Sequence, residues 1–168
     1  MNYRIVEKPA FTAAGWTLRT VCANGQNHRD IPQFWNTCHS TGKIRALMPY
    51  TGSLGFIGLC AEWSENREEF SYLIGVEADG SPLPEGTRGI ALPAATYVVF
   101  ESTGAMPDAI QNVWKTAFAE WFPTSGFEHA GTPDFEVYPA FPDGDPRGDV
   151  DSPQYYSEVW VPIRPKKS

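Results

Sequence analysis

The chain has 168 residues, 42% of them hydrophobic, 14% aromatic and 20% charged, enough apolar material for one buried core or two small fused units. Thirteen Lys and Arg stand against twenty Asp and Glu, a formal net charge of −7. That balance excludes the basic surface of a nucleic-acid binder, which needs Lys and Arg to displace counterions.

The closing Lys166-Lys167 pair reads as a solubilising tail. No apolar run approaches the ~20 residues of a membrane span. The opening residues Met1–Ile5 lack a signal-peptide core. The three cysteines, Cys22, Cys38 and Cys60, match no metal or redox spacing. The expectation is a cytoplasmic protein with free thiols and no metal, cofactor, nucleic-acid or membrane partner.

In chain order, Tyr3–Lys8 and Thr12–Thr20 are predicted strands, rich in β-branched and aromatic residues. A helix is predicted from Asp30 or Ile31 to about Ser40, with Pro32 in its first turn and a stop near Gly42. Ile31, Phe34, Trp35 and Cys38 give it an apolar face. Phe56–Trp63 and Phe70–Val76 follow as a strand pair joined by a Ser64–Arg67 turn. Gly89–Leu92 and Thr96–Ser102 are the next strands. Pro107 and Asp108 open a second helix, with an apolar face of Ile110, Val113, Trp114, Ala117, Phe118 and Trp121. Pro123 and Gly126 end it. Phe135–Tyr138 and Tyr155–Ile163 are the closing strands. Between Ala140 and Gln154 lies a loop rich in Pro, Gly and Asp. Its Asp143, Asp145, Asp149 and Asp151 suggest calcium, but Arg147 and Gln154 stand where an EF-hand needs ligands. A solvated loop is the expectation.

The two halves repeat one plan. Residues 31–37 and 110–116 both keep Ile-x-x-x-Trp-x-Thr, 79 positions apart. Lys8-Pro9-Ala10 and Leu92-Pro93-Ala94 each precede a β-rich run, 84 positions apart. The same order of matches in both halves indicates duplication. We therefore expect one domain over 1–168, with pseudo-repeats at about 1–84 and 85–168. The class is α+β: one antiparallel sheet with two helices packed on one face.

Candidate chemistry is sparse. His28, His39 and His129 belong to no ligand motif, and no nucleophile elbow or phosphate loop occurs. No residue is singled out as catalytic, and nothing in the pattern indicates an enzyme. The residue that draws interest is Glu158. Strand alternation puts Tyr156, Glu158, Trp160 and Pro162 on one face and Ser157, Val159, Val161 and Ile163 on the other. If the second set packs in the core, the first places a carboxylate among aromatic rings; otherwise Glu158 faces solvent. A buried carboxylate is costly unless paired, so a cation would be welcome there. Tyr156 and Trp160 would add cation–π attraction of roughly 0.5–2 kcal/mol per contact. Aligning Ser71 with Ser157 sets Tyr72 opposite Glu158 in the duplicated plan, within reach of the same cleft. Trp16, Trp35, Phe100 and Trp114 complete the candidate ligand-binding set.

Tyr97–Glu101, the helix Ile110–Phe122, Ser125-Gly126-Phe127, Phe135–Tyr138 and Ser157–Ile163 resemble the GyrI-like effector-binding domain. That domain forms the ligand-binding end of BmrR-type and AraC/Rob-type regulators. Phe70–Val76 also fits, so the resemblance covers nearly the whole chain. It implies a duplicated strand-helix-strand-strand fold. It also implies a cleft between the halves for lipophilic cationic or aromatic molecules, with Glu158 as electrostatic anchor. The pattern begins at Tyr3 and leaves no room for a helix-turn-helix. The chain is thus similar to the stand-alone drug-binding modules of integron cassettes, serving transcriptional regulation through a separate regulator protein or drug sequestration. A monomer or weak dimer is expected. Two other functions fit the resemblance. One is protein interaction, as in gyrase inhibitors. The other is hydrolysis of reactive natural products, with Glu158 as acid or base and Tyr72 assisting.

Overall fold

A computed structural model describes residues 1–139 and 150–167. Most of the expected Ala140–Gln154 loop lies outside the described residues. The first half supplies strands β1 (Tyr3–Lys8), β2 (Phe11–Val21), β3 (Phe56–Ala61) and β4 (Glu69–Glu77), with helices α1 (Gln26–Ser40) and α2 (Lys43–Leu47) between β2 and β3. The second half supplies β5 (Arg88–Leu92), β6 (Ala95–Thr103), helix α3 (Asp108–Thr116), β7 (Phe127–His129), β8 (Phe135–Tyr138) and β9 (Tyr156–Pro165). A π-helical turn, Ala117–Trp121, and a short helix α4, Phe122–Ser125, extend α3.

All strand pairings are antiparallel, in the order β1-β6-β9-β8-β3-β4-β2-β5, with β7 added against β9. From the central β8–β3 pair outwards, β8-β9-β6-β1 on one side mirrors β3-β4-β2-β5 on the other. The plan is thus duplicated, with one feature the repeat does not reveal: the halves exchange their first strands. β1 pairs with β6 of the second half, and β5 pairs with β2 of the first.

The exchange forces curvature. Only Pro9 and Ala10 separate β1 from β2, yet the two lie far apart in the strand order. The sheet must curl until they meet. Lys8 then reaches Glu77 on β4, and Phe11 meets Phe135 edge-on at 5.9 Å. Inside the curl lies one apolar cluster, with Leu59, Leu73, Tyr97, Val99, Phe135 and Trp160 among its buried members. The other face carries a second cluster in which Phe70, Tyr72, Val98, Val159 and Val161 pack with Cys38 of α1 and with Ile110 and Val113 of α3. Both helices therefore cover one face.

One helix boundary and one helix face differ from expectation. α1 begins at Gln26, after Gly25 in the left-handed region (φ 68°), so Pro32 sits inside the helix rather than in its first turn. Its missing N–H leaves the His28 carbonyl without a helical donor, at an exposed residue that water can serve. In the second helix the π turn holds more residues per turn than an α-helix. It rotates Phe118 out of the apolar stripe, to 46% exposure, and brings Phe122 in at 8%. The thiols are free, as expected, and Cys38 is buried.

Candidate functional site

α1 and α3 stand apart over the central strands, and the gap is a cavity of about 680 Å³. α1 contributes Ile31, Pro32 and Trp35, α3 contributes Ile110, Gln111 and Trp114, and Tyr72, Glu136 and Tyr138 form the floor. The walls are apolar and aromatic, with few polar groups, as small-molecule sites generally are. A more polar hollow of about 530 Å³ beside the Ser64–Glu69 turn has no aromatic wall.

The floor follows from strand alternation. β8 reads Phe-Glu-Val-Tyr; Phe135 and Val137 turn into the curl, so Glu136 and Tyr138 turn towards the helices. Across the ladder, Glu136 lies opposite Gly58 of β3. A Cβ on Gly58 would come within 2.5 Å of the Tyr72 hydroxyl and 3.4 Å of the Tyr138 ring. Glycine there keeps the floor open to both phenols.

The carboxylate of Glu136 accepts the Trp114 indole N–H at 2.9 Å on one oxygen and the Tyr138 hydroxyl at 2.8 Å on the other. Both donors are neutral. Among the described residues no Lys or Arg forms a salt bridge with it. Burial raises its pKa against the pull of these two hydrogen bonds, and nearby Asp134 raises it further. Burial also raises Tyr72 and Tyr138, with Glu136 adding to both, and pushes the Cys60 thiol up to about 12. Helix α1 is tied down in parallel: the Trp35 indole donates to the Tyr72 hydroxyl at 2.9 Å and its ring meets Tyr138 edge-on at 5.2 Å. The two tryptophans of the repeat thus each hang a helix from the floor.

Of the residues singled out from sequence, Trp35, Tyr72 and Trp114 line this cavity. Trp16 packs on the same face of the sheet, donating its indole N–H to the Lys43 carbonyl, and Phe100 is buried beneath Tyr3 and Trp121. Neither of these lines the cavity. Glu158, Tyr156 and Trp160 do not line it either. The expected alternation along β9 holds, but it turns them to the face opposite the helices, where Trp160 belongs to the core inside the curl. Nor is Glu158 unpaired. Arg4 and the Tyr156 hydroxyl reach one of its oxygens at 3.0 and 2.7 Å, and the Trp160 indole reaches the other at 3.0 Å. The Arg4 guanidinium also lies 5.9 Å from the Trp160 ring centroid. The chain's own arginine fills the cation place imagined for a ligand. The Tyr72 phenol, on the helix face, answers to Glu136 instead.

Sequence reasoning missed Glu136. The signal was present, since its strand shows the same alternation that drew attention to Glu158. Among the described residues no cluster of His, Cys, Asp or Glu could hold a metal ion. No helix of the described residues is long and apolar enough to cross a membrane.

The fold and cavity define an effector-binding domain of the GyrI-like kind. The chain belongs to the Cass2 family of integron-associated effector-binding proteins, whose model matches residues 4–163. Among solved structures it is similar to SAV2435 bound to tetraphenylphosphonium, at 27% identity and TM-score 0.80, covering 98% of this chain and 94% of that one. A putative transcription regulation protein from Staphylococcus aureus MU50 aligns at 25% identity and TM-score 0.77, covering 98% and 99%. An integron cassette protein from the mobile metagenome of Vibrio cholerae shares the fold, at 22% identity and TM-score 0.63, covering 96% and 95%. No curated protein matches the sequence.

Proposed function

We propose that this protein binds lipophilic aromatic monocations in the cavity between α1 and α3, with Glu136 as the anchoring charge. One observation carries the reading: a half-buried carboxylate, whose hydrogen-bond donors among the described residues are all neutral, floors an aromatic-walled cavity. A carboxylate in such a place favours an occupant that brings a positive charge. Trp35, Tyr72, Trp114 and Tyr138 supply ring faces and edges for cation–π and stacking contacts. The tetraphenylphosphonium bound by SAV2435 is a lipophilic cation, which supports the same ligand class here. Through such binding the protein serves a regulator as a separate sensing module, or sequesters the compound.

The test is titration of rhodamine 6G followed by quenching of tryptophan fluorescence. Glu136→Gln keeps the shape and removes the charge; affinity for the cation should fall at least tenfold, and affinity for a neutral aromatic should change little. Glu158→Gln should leave cation binding within about twofold. Equal affinity of wild type and Glu136→Gln for the dye would remove the electrostatic anchor.

A further inference from the structure

The hydrogen-bonding capacity of the cavity is unevenly filled. A carboxylate offers about four lone-pair sites, and among the described residues Glu136 accepts one hydrogen bond on each oxygen, from Trp114 and Tyr138. The Tyr138 hydroxyl has given its hydrogen away and keeps the capacity to accept. Asn27, near the start of α1, also lines the cavity; its Oδ1 is shielded from water and has no donor among the described residues. A buried acceptor left unmade is unfavourable and calls for an explanation. A rotation about χ2 is all an asparagine needs to present that oxygen to an occupant. Among the described residues no Lys or Arg lines the cavity, and besides Asn27 and the two tryptophans the N–H-bearing side chains in its wall are His28, Asn36 and Gln111. A ligand with N–H groups of its own would meet these acceptors directly.

Resting on the cation-binding reading above, we propose that the ligand is a planar aromatic cation carrying exocyclic N–H donors, and that Asn27 is the residue that tells it from its N-alkylated analogue. A cation whose exocyclic nitrogens are alkylated meets the charge of Glu136 but leaves the Asn27 oxygen unmet. A cation with N–H groups at its two ends meets both. A site built to hydrogen-bond an N–H discriminates strongly against the analogue lacking it, because its polar groups are then left unpaired.

Proflavine and acridine orange test this. They share one tricycle, made cationic by protonation of the ring nitrogen, and differ only in that acridine orange has both exocyclic amino groups dimethylated. Its added methyls make it the more apolar, so a cavity reading only charge and apolar area would favour it. The expected result is proflavine binding about fivefold or more tightly. Asn27→Leu should erase that preference, while Asn27→Asp, which keeps an acceptor, should retain it; circular dichroism checks that both variants are folded. Acridine orange binding the wild type as tightly as proflavine, or an unchanged ratio in Asn27→Leu, overturns the proposal and leaves the cation reading standing. Failure of both dyes to bind, or undiminished binding of both in Glu136→Gln, overturns the cation reading and this proposal with it.

Discussion

Glu136 ties ligand binding to pH. Its folded pKa lies above its ordinary value of 4.5 because burial penalises the charge. Protonation therefore favours the fold: the contribution is fully present below the unfolded pKa and is lost as pH rises through the raised folded value. Without a cation, Glu136→Gln should raise the melting temperature over wild type by more at pH 8 than at pH 5, by a few degrees. A cation needs the ionised form, so dye affinity in the wild type should climb as pH rises through the raised pKa of Glu136 and then level off. In Glu136→Gln the profile should be flat. A wild-type profile as flat as the variant's would mean that the carboxyl is already ionised across this range. At this scale the sequence was half legible. Alternation places Glu136 with Tyr138 and Glu158 with Trp160 equally well, because period 2 sorts side chains into two faces without saying which one the helices cover.

At the scale of elements, the exchanged strand β1 sits at an edge of the sheet and is held on one side only, by β6. Arg4 adds a tether from β1 to Glu158 on β9, two strands in. Arg4 is about half exposed while Glu158 is nearly buried, so the pair is worth more than a surface bridge and less than a buried one. Removing the guanidinium leaves Glu158, among the described residues, with the neutral donors Tyr156 and Trp160. Arg4→Ala should cost about 1–2 kcal/mol, read as a lower urea midpoint at unchanged slope, while dye affinity stays as in the wild type. Most elements were legible, because β-branched runs and the Ile-x-x-x-Trp-x-Thr helices carry their own period. The early start of α1 was not: residues 26–30 are polar, and only their position above the floor makes that turn useful. The short helix α2 and strand β7 were missed for want of length.

For the whole molecule, the net charge of −7 surrounds a cavity whose anchor is also acidic. The summed field should speed the arrival of cations, and salt should screen it. Raising ionic strength from 20 to 300 mM should lower the association rate of rhodamine 6G severalfold in stopped flow, with the dissociation rate within about twofold. An association rate indifferent to salt would mean that the mouth feels little of this field.

The duplicated α+β plan and the two tryptophan helices were determined by the sequence itself, because propensity and periodicity act over a few residues. The exchange of β1 and β5, the curl it imposes and the helix-covered face were decided only in three dimensions, because they depend on which strands pair across long stretches of chain. That pairing separates two similar carboxylates. It gives Glu158 an arginine from a distant strand and leaves Glu136 under two helices with, among the described residues, neutral hydrogen-bond partners.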